Sequence, residues 1–300
     1  MATYQENKRG IIALTAACAL FTVNDTLTKV AALAYPTGEV LLVRGLMSLV
    51  CLGVVIAWSH QFSWIRHLAN PYVLLRALLD VSANVAFVLA LSRMRLADLL
   101  AVNLVSPLLL TLLLVVFFGE RIGWRRWTAI MVGFSGTLLI VKPSTESLNL
   151  WALVALLSAA SSATRDVVTR KIDPSVPTLA ISFICVLAVT LSSPLLAWAF
   201  DEKWHMPNAE YMSFLLAAAL VLSIGSTMAV SAFRNVDISV VAPFRYSLLI
   251  WGGIAGYVVF GEVSDLQSLS GAALIVGSGL YSLHRERVRH RELSAKSGIH

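Results

Sequence analysis

Charged residues are scarce in this sequence. Only 13% of its 300 residues are Asp, Glu, Lys or Arg, whereas a soluble domain carries about 25%. Hydrophobic residues make up 58%, and the mean hydropathy is +0.78. A composition this poor in charge excludes a soluble globular domain and predicts an integral membrane protein.

Cysteine and histidine are also sparse, and no metal-ligand spacing joins them. The three cysteines lie in apolar runs without a CxxC pair, and the six histidines fall in connections or in the tail. The chain lacks the P-loop pattern GxxxxGK(S/T) and the catalytic patterns HExxH and GxSxG. These absences exclude ATP-driven transport by this chain and argue against an intramembrane enzyme, so we expect no cofactor and no metal.

Long apolar runs are what the sequence does contain. A helix of about 20 apolar residues crosses a hydrocarbon core of about 30 Å. Runs near that length lie at 10–32, 38–58, 70–92, 96–118, 124–143, 149–171, 177–200, 211–233, 238–260 and 266–284. Their lengths and their Leu, Ala and Val content favour helices over barrel strands. The predicted fold is therefore an all-α integral membrane protein with ten transmembrane helices.

Basic residues are distributed unevenly between the connections. One set of alternate connections, together with both termini, holds Lys8, Arg9, Arg66, Arg121, Arg125, Arg126, Arg170, Lys171, Arg234 and the tail bases of 285–296. The other set holds only Arg93, Arg95, Lys142 and Lys203. By the positive-inside rule both termini are cytoplasmic, which predicts a multi-pass protein of the bacterial inner membrane. Because the bases are spread over many loops, a nucleic-acid partner is not expected.

The first apolar run also has a secretory-signal interpretation. Lys8 and Arg9 precede it, and Ala32-Leu33-Ala34 resembles a cleavage site. Its apolar stretch is long for a signal peptide, and its polar pattern returns later in the chain. Both features favour a retained transmembrane helix.

That return reveals an internal repeat. Asn24-Asp-Thr-Leu-Thr-Lys29 recurs as Arg165-Asp-Val-Val-Thr-Arg170, at an offset of 141 (166 − 25). Phe118-Gly-Glu120 recurs as Phe260-Gly-Glu262, at an offset of 142 (262 − 120). Two matches at nearly one offset indicate two five-helix units, residues 1–145 and 146–284, followed by a basic cytoplasmic tail, 285–300. Because five is odd, the second unit enters the membrane from the opposite side, an inverted-topology repeat around a central cavity.

These features resemble the EamA family of the drug/metabolite transporter superfamily. The resemblance rests on the two five-helix halves and on the Phe-Gly-Glu patterns with their upstream prolines, Pro107 and Pro243. It implies a basket of ten helices that transports small metabolites, with amino-acid exporters the best-known members, and it marks each Gly-Glu pair as a helix-end signature. The two prolines are not equivalent: Pro107 precedes its Glu by 13 residues (120 − 107), and Pro243 precedes its Glu by 19 (262 − 243).

The repeated motif supplies four candidate gate or coupling residues. Asp25 and Lys29 are spaced i, i+4, which allows an ion pair on one helix face, and Asp166 lies next to Arg165. The alternative is a self-neutralised pair near a helix end, with Lys29 reaching to the interface.

Six further polar residues within the runs are candidates for substrate binding. Arg44 has no acid within one helical turn, and Asp80 and Asn84 extend a polar stripe that begins at Arg76. A second group, Arg245, Tyr246 and Trp251, follows Pro243, a proline that can free backbone carbonyls. The alternative for this second group is a kinked helix whose Arg pairs across the bundle.

The sequence thus predicts a secondary transporter of a small, carboxylate-bearing or zwitterionic metabolite. Export of an amino-acid-like solute is favoured, and uptake of a vitamin or cofactor such as riboflavin or S-adenosylmethionine is the alternative. Asp80 or Asp25 is the candidate for proton coupling, membrane lipid surrounds the chain, and the assembly is a monomer or a homodimer. An intramembrane enzyme and a scaffold protein are the disfavoured alternatives.

Overall fold

The computed structural model of the protein describes residues 4–58, 70–118, 124–141, 150–169, 171–173, 176–232 and 241–297. Within these ranges every regular element is a helix. The expectation of an all-helical protein is therefore confirmed.

The helices coincide with the predicted apolar runs. The first half contains α1 (Tyr4–Ala34), α2 (Thr37–Trp58), α3 (Pro71–Leu91), α4 (Leu96–Asn103), α5 (Ser106–Phe118) and α6 (Trp124–Val141). The second half contains α7 (Leu150–Thr169), α8 (Thr178–Ala199), α9 (Ala209–Ala232), a 3-10 turn (Ala242–Tyr246), α10 (Ser247–Phe260) and α11 (Leu266–Ser297).

Five stretches are long and apolar enough to cross a membrane by themselves. They are Gln5–Ala34, Thr37–Trp58, Pro71–Leu91, Leu179–Ala199 and Ala209–Ser226, counted among the described residues only. These stretches make the protein a multi-pass membrane protein. Ten crossings remain a prediction.

Each half contains one apolar run that does not form a single helix. In the first half, α4 ends at Asn103 and α5 begins two residues after Leu104, with Pro107 in its first turn. In the second half, the 3-10 turn with Pro243 precedes α10. A proline lacks the amide hydrogen that a continuous helix needs, so both interruptions follow from the sequence.

Local sequence also explains other helix ends. The side chain of Asn70 caps α3 by accepting hydrogen bonds from the amides of Tyr72 (3.0 Å) and Val73 (3.3 Å), and Pro71 occupies the first turn. Asp98, in the first turn of α4, does not cap this helix. The N-cap of α4 is Arg95, which makes no side-chain capping bond, and Asp98 pairs with Arg95 instead (Nε to Oδ2, 2.6 Å).

The principal helix contacts join the two halves. α1 packs on α9, α3 on α7, α2 on α8 and α6 on α11, while α4 meets α10. α6 and α11 approach closely because Gly136 and Gly271 face each other: a Cβ on Gly136 would lie 2.6 Å from the Gly271 carbonyl oxygen. These two glycines therefore serve helix packing.

Side-chain contacts define two ends of this bundle. At one end the rings of Tyr35 and Tyr211 lie 5.1 Å apart, and the Arg93 guanidinium lies 5.4 Å from the Trp151 ring. α1 and α3 end here, and α7 and α9 begin here. We call it the Lys29 end, and the opposite end, where α7 finishes, the Arg165 end.

Candidate functional site

Lys29 lies near the last turn of α1 with only 3% of its surface exposed. Its Nζ forms an ion pair with Oε1 of Glu262 and donates a hydrogen bond to the carbonyl of Met94 (2.7 Å). The same ammonium lies 4.7 Å from the centre of the Phe260 ring, within cation–π range. A buried ammonium is tolerated here because a carboxylate, a carbonyl and an aromatic face surround it.

Glu262 is held in this position by its backbone. The amide of Gly261 donates to the carbonyl of Tyr257 (3.0 Å), and the amide of Glu262 donates to the carbonyl of Gly256 (2.9 Å). Gly261 has φ +63°, a left-handed conformation that favours glycine, and its bond to Tyr257 is the 5→1 bond of an αL helix cap. In its second copy, Phe260-Gly-Glu262, the pattern is therefore a helix-ending signature, as expected.

The carboxylate of Glu262 also joins the other half of the chain. Its Oε2 accepts a hydrogen bond from the amide of Leu96 (2.8 Å), the first residue of α4. A carboxylate at a helix N-terminus satisfies a free amide and interacts favourably with the helix dipole. Glu262, which was predicted only as a structural signature, thus connects α1, α4 and α10.

This geometry corrects the predicted pairing of Lys29. The i, i+4 spacing predicted an ion pair with Asp25, but Lys29 pairs across the bundle with Glu262. Asp25 is half-buried and accepts a hydrogen bond from the neighbouring Asn24 amide nitrogen (2.9 Å). Lys29 pairs with Glu262 and not with Asp25 because the Glu262 carboxylate is fixed beside Lys29 at the end of α10.

Arg44 lies on α2, seven residues after Thr37 (44 − 37), at the centre of a second polar group. It is 9% exposed, and its guanidinium donates to the Thr28 hydroxyl (3.3 Å) and to the Asn84 side-chain oxygen (3.5 Å). Asn84 in turn donates to the backbone carbonyl of Asp80 (3.0 Å). Among the described residues no carboxylate forms a salt bridge with Arg44, although Asp25 attracts it electrostatically.

Toward the Arg165 end, charge is paired more completely. Arg165 donates to Asp80 on α3 (2.7 Å) and to its neighbour Asp166 (3.2 Å). Only the second of these pairs was predicted. Arg76 donates to the hydroxyl of Thr169 (2.8 Å), and this hydrogen bond joins α3 to α7 at the Arg165 end.

These three groups form one polar column through the bundle. Lys29 occupies one end, Arg44 with Asp25 and Asn84 the middle, and Arg165 with Asp80 the other end. Intramembrane charges that face the interior and pair with one another are typical of solute or ion pathways.

The predicted Arg245 group lies farther along the same contact between α1 and α10, about three helical turns from Lys29. The Cys18 thiol contacts the Arg245 carbonyl (3.7 Å), and the Arg245 side chain is exposed. Tyr246 is 8% exposed and packs against Gly279 on α11. The described residues offer no hydrogen-bond partner to the buried Tyr246 hydroxyl or to the Trp251 indole nitrogen. The structure does not bring this group into contact with Arg44, and its role in binding stays a prediction.

Several predicted features lie outside the described residues. They are the first Gly-Glu pair (Gly119 and Glu120), the motif base Arg170 and the loop bases Arg66, Arg121, Lys142 and Arg234. Among the residues that are described, no cluster of metal-ligating side chains occurs.

Arg95 connects α4 to the segment before α11 at the Lys29 end. Besides Asp98 it binds Asp265 (2.9 Å), the Val263 carbonyl (2.8 Å) and the Ser268 hydroxyl (3.1 Å). Burial lowers the pKa of Arg95, but Asp265 and Asp98 outweigh that effect and raise it above its ordinary value. Arg95 therefore stays charged and holds the rim of this end together.

Comparison with known proteins fits this arrangement. The sequence profile of the EamA-like transporter family matches residues 8–142 and again residues 149–283. The chain belongs to the EamA-like transporter family. The two matched segments correspond to the two halves that the internal repeat predicted.

Curated relatives of this EamA-like chain are transporters of different solutes. The S-adenosylmethionine uptake transporter of Rickettsia felis is 28% identical over 220 residues, which cover 73% of this chain and 74% of that protein. The Pseudopaline exporter CntI of Pseudomonas aeruginosa is 28% identical over 275 residues, 90% of this chain and 94% of that protein. A solved structure superposes with a TM-score of 0.65 at 17% identity, covering 94% of this chain and 98% of that one, and shows the same fold.

Proposed function

We propose that this EamA-like protein is a secondary active transporter that moves a small carboxylate-bearing metabolite by alternating access. The proposed orientation places both termini in the cytoplasm of a bacterium and the Lys29 end outside its inner membrane. The proposed topology has ten crossings arranged as two inverted five-helix repeats.

The helix contacts support the inverted repeat. If α1, α2 and α3 are exchanged with α7, α8 and α9, the contact of α1 with α9 becomes that of α7 with α3. The contact of α2 with α9 becomes that of α8 with α3, and the contact of α2 with α8 becomes itself. All of these contacts are present in the structure. A pseudo-two-fold relation of this kind is the arrangement that alternating access uses.

The proposed substrate class rests on the surroundings of Arg44. To the residues that the structure describes, its buried guanidinium makes two long hydrogen bonds, both to neutral side chains. A guanidinium can form two parallel charge-assisted bonds to one carboxylate, and burial makes an incompletely paired cation costly. A substrate carboxylate at Arg44 would remove that cost in the middle of the polar column.

Export of an amino-acid-like metabolite is the proposed direction, and uptake of a cofactor is the alternative. The exporter relative supports the first and the S-adenosylmethionine transporter the second. S-Adenosylmethionine carries an amino-acid carboxylate, so its uptake and the export of an amino-acid-like solute both fit a site at Arg44, whereas riboflavin, the other uptake alternative, has no carboxylate.

Asp25 is the proposed proton carrier. Asp80, the other candidate, is paired with Arg165, whereas the described contact of Asp25 is with the neutral Asn24 side chain. The nearby Arg44 cation favours the charged form of Asp25. When a substrate carboxylate binds Arg44, that effect is weakened, and Asp25 can then take up a proton.

A metabolite panel tests the function. Cells with and without the gene are compared for solutes inside the cell and in the medium, and each candidate is then measured as flux into proteoliposomes. We expect a carboxylate-bearing solute to accumulate in the medium only when the gene is present. Entry of S-adenosylmethionine or riboflavin would overturn export, and chemical turnover without flux would overturn transport.

A further inference from the structure

A cavity of about 310 Å³ lies at the Lys29 end of the bundle. Its lining residues come from α1, from the segment that joins α3 to α4, and from the end of α10: Lys29, Leu33, Ser92, Arg93, Met94, Arg95, Phe260 and Glu262. Two of these lining residues, Lys29 and Glu262, form an ion pair, and Lys29 has only 3% of its surface exposed.

The Lys29–Glu262 pair lies in the wall of this cavity, beside the Arg44 group. Asp25 lies one helical turn below Lys29, about 6 Å along α1 at 1.5 Å per residue. Thr28, adjacent to Lys29 in the chain, contacts Arg44. The ion pair and Arg44 therefore lie at nearly the same depth, on neighbouring faces of α1.

The same pair connects helices from both halves. Lys29 belongs to α1, the Glu262 carboxylate also holds the amide of Leu96 at the start of α4, and Glu262 terminates α10. Separation of Lys29 from Glu262 would remove the charged contact of α1 with the ends of α4 and α10, while the apolar contact of Leu14 and Cys18 with Leu248 would remain. The Arg95 bonds to Asp98 and Asp265 would still keep α4 beside the segment before α11.

A buried ion pair can open at small net cost when water reaches both charges. Hydration replaces much of the attraction that is lost, which is why such pairs contribute little net stability. The Glu262 side chain is 19% exposed beside an existing cavity, so water has access to one partner in the closed arrangement.

We propose that Lys29 and Glu262 form the gate of the Lys29 end. The pair is intact in the conformation described here and breaks once in every transport cycle. This proposal rests on the proposed transport function, but its first test measures opening without a substrate. It assigns a gating role to Glu262 in addition to its position at the end of α10.

Thiol labelling tests the gate. The three cysteines are replaced by alanine, and Asn84→Cys provides a reporter beside Arg44. Glu262→Gln keeps an acceptor for the Leu96 amide and removes the charge. We expect it to increase labelling by a membrane-impermeant reagent, added from the Lys29 side, by about fivefold or more.

The matched control is Asp265→Asn. It removes one carboxylate from the same end, but from a residue whose described salt bridge is to Arg95. Labelling of the reporter should stay at the parent rate in this variant. Equal labelling of the Glu262→Gln and parent proteins, at equal amounts of folded protein, would overturn the gate.

Cross-linking distinguishes a moving gate from a fixed structural contact. Lys29→Cys and Glu262→Cys are combined and joined by a reversible bifunctional thiol reagent, since a Lys–Glu pair spans more than a disulfide does. We expect flux to stop on cross-linking and to return on reduction. Unchanged flux at complete cross-linking would overturn the proposal. Increased reporter labelling in a protein that moves no solute would support the gate and overturn the transport function instead.

Discussion

The two copies of the repeated motif have the same local bonding but different charge. The Thr28 hydroxyl donates to the Asn24 carbonyl and accepts from Arg44, and the Thr169 hydroxyl donates to the Arg165 carbonyl and accepts from Arg76. Both back-bonds are 2.7 Å long. In each copy the residue before the aspartate donates to that aspartate, but it is neutral in the first copy and cationic in the second.

This difference extends to the helices around each copy. Arg44 on α2 corresponds at the repeat offset to Cys185 on α8 (185 − 44 = 141), and Cys185 accepts a contact from Arg76 at 3.5 Å. The second copy therefore pairs its own cation with Asp80 and Asp166, whereas the first receives a cation from α2 that has no carboxylate partner among the described residues. The frame is duplicated, but the incompletely paired charge lies in the first half.

The largest expected effect comes from truncating the side chain at one of the two corresponding positions, Arg44, and comparing it with truncation at the other, Cys185. Arg44→Ala should reduce flux by about 100-fold, since a charge-assisted hydrogen bond pair contributes roughly 3 kcal/mol. Cys185→Ala should leave flux within about twofold because the thiol is only a weak acceptor. Initial rates in proteoliposomes, normalised to folded protein, measure both. Equal losses in the two variants would show that the halves contribute equally to binding.

A smaller effect is expected when the second copy is made to resemble the first. Arg165→Asn removes the partner of Asp80 and should lower stability by about 1–3 kcal/mol. The lower part of this range is expected because the Arg165 side chain is 24% exposed and the Asp80 side chain 11%. Thermal unfolding in detergent measures the change.

A double variant separates this loss of pairing from loss of packing. If the cost of Arg165→Asn arises from an unpaired Asp80 carboxylate, adding Asp80→Asn should recover much of the lost thermal stability. No recovery would mean that the Arg165 side chain stabilises the bundle by packing alone.

The sequence predicted the frame of the molecule better than its cross-helix contacts. Run lengths predicted the helical ranges, and the prolines at 107 and 243 account for the two interrupted runs. Spacing along one helix suggests only local partners, so it paired Lys29 with Asp25. The true partner, Glu262, is 233 positions away and reaches Lys29 only after α1 and α10 have packed. The repeated Phe-Gly-Glu pattern was the available signal, because a helix-ending motif fixes the carboxylate that follows it.

The smallest effect should come from the two threonines. Thr28→Val and Thr169→Val keep the side-chain size but remove the hydroxyl, and each should lower stability by about 1 kcal/mol. Only Thr28→Val should also raise KM, by about threefold, because it removes a hydrogen bond that orients Arg44. Thr26→Val is the control: the Thr26 hydroxyl makes the same kind of bond, to the Thr22 carbonyl (2.7 Å), and no contact to Arg44 is described for it. A rise in KM in all three variants would mean that α1 itself, and not the orientation of Arg44, determines affinity.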